Sequence, residues 1–479
     1  MESIWSQTQS MPEKPFLPGN IEVEAAVIGG GMAGILTAWY LKEAGIDAVV
    51  LEADQIASGQ TKNTTAKITA QHGLIYQKLI DSLGIDSAKK YANANLQAIK
   101  AYRDIIASLK IDCDFQELPS YIYSVLDAET LQEETKAAQK LGIPAEFTLQ
   151  TSLPFPIKGA VCFSKQAQFH PLKFLSVLAD QLDIYTQTRV QKVEDNRIQT
   201  NRGIVQAKYI VFTCHYPFQL TPGFYFMRMH QERSYVLALE NAGQMNGMYL
   251  GIDPDGLSFR HHGDFLLLGG GGHRTGENRM GGRYDTLRQV ARKFWPESLE
   301  KGHWSAQDCM PLDGVPYIGQ FAASVPNWYV ATGFGKWGMT SSMVAALGIR
   351  DLITGHKNPD LEVFSPQRFT PAASAGTFLD NSLHAVRDLS RRILAPPREE
   401  LDALPNGHGG IVEYQGEKVG VYKDETGKVF AVSIKCPHLG CQLEWNPDEK
   451  SWDCPCHGSR FDYHGRLLDD PAQEGLQHV

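Results

Sequence analysis

A chain of 479 residues, 43% hydrophobic and 21% charged, exceeds one ordinary core and is balanced enough to be globular, so two or three folding units are expected. Its net charge of −9, with no Lys/Arg patch interleaved with aromatics, argues against a general nucleic-acid or anionic-membrane partner. No apolar stretch reaches the roughly 18 residues that a membrane-spanning helix needs. Residues 1–20 read as a polar, proline-punctuated extension without the apolar run of a signal peptide. Cys113, Cys162, Cys214 and Cys309 stand singly, as suits a reducing cytoplasm, the expected location; the other four cysteines cluster near the C-terminus.

The first element is legible in residues 21–52. The apolar strand Ala25–Ile28 runs into Gly29-x-Gly31-x-x-Gly34, a helix with apolar periodicity follows, and a second strand, Ala48–Leu51, ends at Glu52. Strand, glycine turn, helix and acidic strand end together specify a dinucleotide site. Gly29 permits the tight turn, Gly31 lets the backbone approach a pyrophosphate, and Gly34 lets helix and strand pack. The helix start at Met32 and Ala33 offers unpaired N–H groups to phosphates. Glu52 is expected to accept hydrogen bonds from ribose hydroxyls. The polar loop from Ala53 through Ser58 to Thr65 and Ala66 is suited to run along a long cofactor, with Lys67 and His72 at its end.

Further along, Arg189–Val193 and Tyr209–His215 read as strands of a doubly wound sheet, placing Val190 and Thr213 beside the cofactor. Glu232–Leu239 reads as another strand and carries Arg233 and Tyr235. The run Gly269–Gly272 has no third glycine in register and reads as a strand end with a tight turn. Trp328–Thr340 reads as a strand, a glycine-rich turn and a helix start. Its Gly333, Gly335, Lys336, Gly338, Met339 and Thr340 would aim a second helix N-terminus at the cofactor.

This set, in this order over residues 21–358, resembles the D-amino-acid oxidase and glycine oxidase (DAO) flavoprotein superfamily. The resemblance implies FAD bound in extended form by an α/β, Rossmann-like domain of the glutathione-reductase type over residues 21–364. It also implies an interleaved α+β substrate domain, about residues 90–160 and 220–305, whose antiparallel sheet shields the flavin. Cys309 lies near where some relatives attach flavin covalently, but its spacing to Asp313 is too short, so non-covalent FAD is expected. Lys336 falls where glycine-oxidase-like members pair the substrate carboxylate with an arginine. A lysine offers a point charge without the bidentate fork, which weakens the case for an α-amino-acid substrate. Arg233 and Tyr235 lie where the resemblance puts the pocket lining, so Lys336, Arg233 and Tyr235 are the candidate catalytic residues.

From Ser365 to Ala403 the composition turns to Pro, Ala, Ser and Gly, a linker with one amphipathic stretch, Phe378–Leu394, expected to be a docking helix. Residues 404–479 show short alternating strands between turns, an all-β pattern. Within them, Cys436-Pro-His438-Leu-Gly-Cys441 and Cys454-Pro-Cys456-His457-Gly-Ser459 place two thiolates and two imidazoles at the spacing of a Rieske [2Fe–2S] site. Cys436 and Cys454 would hold one iron, His438 and His457 the other. Cys and His at short spacing also suit tetrahedral zinc, but a motif this long points to the cluster.

Over this region the chain resembles Rieske proteins of the respiratory and photosynthetic type. The resemblance implies a disulfide between Cys441 and Cys456 and a sulfur-directed hydrogen bond from Ser459. At Phe461 it implies the loss of a tyrosine hydroxyl that high-potential members carry, so a lower potential is expected. As a whole the chain resembles bacterial Rieske-containing, FAD-dependent oxidoreductases.

A two-electron flavin and a one-electron cluster in one chain imply a converter. A C–H bond next to nitrogen or oxygen of a small amine or amino-acid-like substrate would be oxidised at flavin N5, and the electrons would leave singly for an external acceptor. The reverse flow from NAD(P)H is the alternative, but no second Gly-x-Gly-x-x-Gly follows a mid-chain strand. A redox sensor would leave a substrate domain superfluous. An oxygenase would need a 2-His-1-carboxylate iron site, and none is apparent.

Overall fold

The computed structural model describes residues 2–368, Ser374 and 401–479; the expected helix Phe378–Leu394 lies outside the described residues. Apolar runs with little alternation make the central strands of an eight-stranded sheet, as burial on both faces requires. Its main path runs Tyr317–Ala322, Val325–Thr332, Ile204–Phe212, Ile21–Ile28, Ala48–Leu51, Asp183–Tyr185. The last five strands of that path are parallel, and Ile28 stands in register with both Leu51 and Phe212. The turns after Ile28, Leu51, Phe212 and Thr332 therefore gather at one edge, where open α/β sheets bind ligands. Val190–Glu194 joins this sheet as a strand, through an antiparallel hairpin with Arg197–Thr200, which in turn pairs with Ile204–Phe212.

A nine-stranded sheet forms the second layer, with Leu299–Pro311 at its edge, then Met229–Glu240 and Phe265–Arg274. The run Gly269–Gly272 lies inside Phe265–Arg274, not at its end; Gly271 takes φ +66° beside the register shift between Arg233 and Tyr235. Such a bulge needs a residue without Cβ strain, which glycine supplies.

Residues 2–20 are integral to this body. Ser3 caps the short helix Ile4–Thr8, and Trp5 is fully buried, its indole N–H donating to Thr64 O at 2.7 Å. The C-terminal module stacks a three-stranded sheet, His408–Tyr414, Glu417–Lys423 and Val429–Ser433, beside a four-stranded one, Glu444–Asn446 to Leu467–Asp469. Trp452, Trp445 and Tyr422 pack its core. Among the described residues no helix is long and apolar enough to cross a membrane.

Candidate functional site

The glycine turn is built for close approach. A Cβ on Gly34 would stand 1.8 Å from Gly29 O, and one on Gly29 would meet Thr213 O at 2.9 Å, so only glycine fits either place. The helix Met32–Glu43 starts without a side-chain cap on Gly31, although Thr61 Oγ1 takes the Met32 N–H at 2.9 Å. Glu52 accepts from Gly30 N at 2.6 Å and Asp54 N at 2.8 Å, and burial raises its pKa despite those bonds. Ala57 N donates to Gly30 O, folding the Ala53–Ser58 loop over the turn. Opposite, the helix Gly338–Thr354 also begins without a side-chain cap, beneath the Gly333–Trp337 turn. These features suit an extended dinucleotide held by backbone groups.

Lys336 lies deep between the layers, yet 35% of its side chain remains accessible, which places it on an internal cleft. Its Nζ stands 3.1 Å from Glu232 Oε2, 3.2 Å from Asp308 Oδ2 and 3.2 Å from Ser234 Oγ. A hydrogen bond from His230 and the charge of Lys336 outweigh burial and hold Glu232 down to about 2. Lys336 is thus already paired twice and is no free anchor for a carboxylate. His72, stacked on Trp337, spends Nδ1 on Tyr91 Oη and Nε2 on Thr69 O and Thr340 Oγ1; burial pushes it to about 3, so it stays neutral and bridges elements. Lys67 donates to Tyr249 O and Ser258 Oγ, and burial lowers it to about 7.

Arg233 and Tyr235 require a correction. Side chains alternate along a strand, and these two stand on the face turned from Lys336. Arg233 is 1% exposed and pairs with Glu449 Oε2 of the C-terminal module at 2.7 Å, with Ser305 Oγ and Gln307 Oε1 completing its shell. Tyr235 Oη contacts His273 Nε2 at 2.9 Å and Asn278 Nδ2 at 3.2 Å. Both serve the interface between modules. Cys309 lies on this face too, buried, with its thiol against His215 O.

Two loops of the C-terminal module share one backbone device. Cys436 N donates to Cys441 O and Gly440 N back to Cys436 O; Cys454 N donates to Ser459 O and Gly458 N back to Cys454 O. Gly440 and Gly458 take φ +80° and +84°, which only glycine adopts freely. The disulfide Cys441–Cys456 ties the loops together. Between them face Cys436, Cys454, His438 and His457. The imidazole centroids are 4.9 Å apart, and both buried Nδ1 atoms lack a hydrogen-bond partner among the described residues. Burial pushes these histidines to about 4 and 3, keeping them neutral. A hydrogen bond from Cys454 holds Cys436 down to about 7 against burial, with help from the His438 N–H and the Ser459 hydroxyl. Orphaned imidazole nitrogens facing two buried thiols, one held down and its partner Cys454 pushed well above the ordinary thiol value by that same bond and by burial, fit a [2Fe–2S] cluster ligated by two Cys and two His. Ser459 Oγ accepts from Ala472 N at 2.9 Å, leaving its own hydrogen for sulfur; Phe461 is fully buried and offers none.

The interface is polar and buried. Gln231 Nε2 donates to His457 O at 2.8 Å and Asp470 O at 3.2 Å, and Gln307 Nε2 to Gly458 O at 2.8 Å. Arg460 links Glu449, Asp453 and Asp469, while Gln60 from the cofactor loop binds Asp469 at 2.8 Å. Asp470 stands 3.7 Å from Arg189, near Glu52, so the module reaches the dinucleotide edge. Sequence reading missed Gln231, Glu232, Gln307, Asp308 and Glu449. A signal existed: His230-Gln-Glu-Arg-Ser234 is polar at every position of a strand, which happens when neither face is simply core or solvent.

Family models match on both halves: "FAD dependent oxidoreductase" (DAO) over residues 24–352 and "Rieske [2Fe-2S] domain" over residues 397–479. The chain is 36% identical to the Rieske 2Fe-2S iron-sulfur protein YhfW of Bacillus subtilis (strain 168), covering 100% of this chain and 97% of that one. It is 24% identical to the gamma-glutamylputrescine oxidoreductase of Escherichia coli (strain K12), over 41% of this chain and 50% of that protein. Glycine oxidase from Geobacillus kaustophilus shares the fold at TM-score 0.62 and 17% identity, over 73% of this chain and 99% of its own.

Proposed function

This chain belongs to the FAD dependent oxidoreductase (DAO) family and carries a C-terminal Rieske [2Fe–2S] domain, and from that premise we propose that it is a dehydrogenase of small amines feeding an external one-electron acceptor. Bound FAD supplies the two-electron acceptor for the C–H bond next to nitrogen, and the cluster accepts electrons singly. Gly29 to Gly34, Glu52, Thr213 and the Gly333–Thr340 turn would hold FAD, and Cys436, Cys454, His438 and His457 the cluster.

The observation that carries the substrate class is the pairing of Lys336 with both Glu232 and Asp308. Two carboxylates around one ammonium leave a net negative charge. That charge repels a substrate carboxylate and draws a second ammonium into the cleft. Glu232 stays ionised throughout the working range and orients such a cation. The name of the Escherichia coli relative, which acts on a putrescine derivative, supports an amine. The electron route draws support from the hydrogen bonds that bring the His457–Gly458 loop against Gln231 and Gln307. Residence in the cytoplasm belongs to the same reading; the disulfide is buried at both cysteines, 5% exposed each, and so shielded from reductants.

Anaerobic stopped-flow mixing of holoenzyme with mono- and diamines, and separately with α-amino acids, tests this. Amines should bleach the flavin band and the cluster signal should follow, while α-amino acids of similar size react at least tenfold more slowly. Bleaching by amino acids alone sinks the amine assignment, and flavin bleaching that never reaches the cluster sinks the electron route.

A further inference from the structure

Between the cofactor cleft and the iron–sulfur module runs a continuous hydrogen-bonded chain. It begins at Thr213–His215, the turn after the central strand, where Thr213 O and Cys214 Cα crowd Gly29. His215 takes φ +66°, a left-handed conformation rarely held without cause. Two bonds clamp its carbonyl: Thr332 Oγ1 donates at 2.6 Å and the Cys309 thiol at 3.5 Å. So held, the imidazole reaches Gln231, Nε2 to Oε1 at 3.3 Å, while the charges of Asp308 from the cleft and Asp469 from the module both act on it. Gln307 Nε2 donates to the same Gln231 Oε1 at 2.6 Å, fixing the amide so that Gln231 Nε2 points at His457 O. Packing leaves no slack: a Cβ on Gly458 would stand 2.7 Å from the Gln231 side chain.

We propose that His215 and Gln231 are positioning residues for electron transfer, forming a bridge from the cofactor cleft to the cluster ligand His457 and holding the two redox sites at fixed separation. The inference rests on the flavin-to-cluster flow proposed above. One electron moves per event: the reduced flavin loses it and one ferric iron of the oxidised cluster becomes ferrous. The second follows once an external one-electron acceptor, ferricyanide in the assay, has emptied the cluster. The bridge itself moves no proton and is neither oxidised nor reduced. A glutamine tied at both ends acts by geometry, because electron transfer falls steeply with separation and the bridge fixes that separation.

Laser flash photolysis of oxidised holoenzyme with 5-deazariboflavin puts one electron on the flavin without any substrate, and internal transfer is read at the cluster's own absorbance. We expect Gln231→Leu to slow that transfer at least tenfold with FAD content, flavin spectrum and cluster EPR intensity intact. His215→Phe should slow it similarly, and His215→Gln, which keeps a side-chain N–H, should restore most of it. The His215 imidazole bonds Gln231 rather than the iron–sulfur module, so His215→Phe keeps the test decisive if Gln231→Leu fails to retain its cluster. Transfer within twofold of wild type in His215→Phe and in any Gln231→Leu that holds its cluster overturns the bridge alone. Wild-type flavin that never passes its electron on overturns both the bridge and the flow it rests on.

Discussion

On one side of the strand Met229–Glu240, Glu232 and Ser234 meet Lys336 in a cleft where about a third of each charged side chain stays accessible; on the other, Gln231, Arg233 and Tyr235 are sealed against the iron–sulfur module. The same kinds of charge carry different weight in the two settings. Accessible pairs are worth about 0–1 kcal/mol, because water competes for them. A buried pair broken on one side leaves a charge without a partner and costs about 3–5 kcal/mol. The cleft face can therefore spend its charges on a ligand, whereas the module face spends its charges on docking. One strand serves two chemistries because its side chains alternate.

Changes that break this contrast come first. Cys436→Ala or His438→Ala should abolish the cluster, seen as complete loss of its EPR signal, while the flavin spectrum of the other layer persists. Arg233→Ala should destabilise the docked state by about 3–5 kcal/mol, read as a lowered first thermal transition and rapid proteolytic release of the module; its cleft-face neighbour Ser234→Ala should change neither.

Acid should act on the module face specifically. Burial raises the Glu449 pKa, but Arg233 and Arg460 outweigh it and hold the group down to about 2. Its folded pKa is depressed, so its contribution is full above the ordinary value of 4.5 and is lost as pH falls through that value towards 2. Undocking measured by scattering should appear in that window, and Glu449→Gln should flatten it.

Asp308→Asn would sharpen the contrast from the cleft side. It should raise KM for a cationic amine about 10-fold, roughly 1.4 kcal/mol, with thermal stability within about 0.5 kcal/mol of wild type; an unchanged KM would detach Asp308 from substrate binding. The smallest effect is expected at Phe461→Tyr. A hydroxyl reaching sulfur contributes about 1–1.5 kcal/mol, which for a one-electron couple raises the potential by roughly 40–60 mV, measurable by redox titration.

Much of this was legible because glycine and cluster motifs constrain the chain locally. Gly29, Gly31 and Gly34 announce a backbone device within six residues, and Cys436 to Ser459 announce another. The expected disulfide between Cys441 and Cys456 is present because the two loops must lie side by side to face one cluster. Arg233 was misread because strand position fixes which residues share a face, while only the packed partner tells which face is the pocket. Glu232 and Asp308 lie far apart in sequence and meet through the pairing of Glu232 with Asp308 across two strands, a register no motif records.

The burial of Trp5 and the order of the parallel sheet bear on how the chain is made. Trp5 is enclosed by Thr64, His170, Arg260 and His262, and the dinucleotide edge is completed only by Val325–Thr332. Trp5 must therefore wait for residues far along the chain before it can pack, a high contact order that slows folding. A nascent chain stopped before Thr332 holds an open half-site, with apolar surface left to chaperones. The iron–sulfur module follows Met229–Glu240 and Leu299–Pro311 in the chain, so it meets a partner sheet whose strands have already been made.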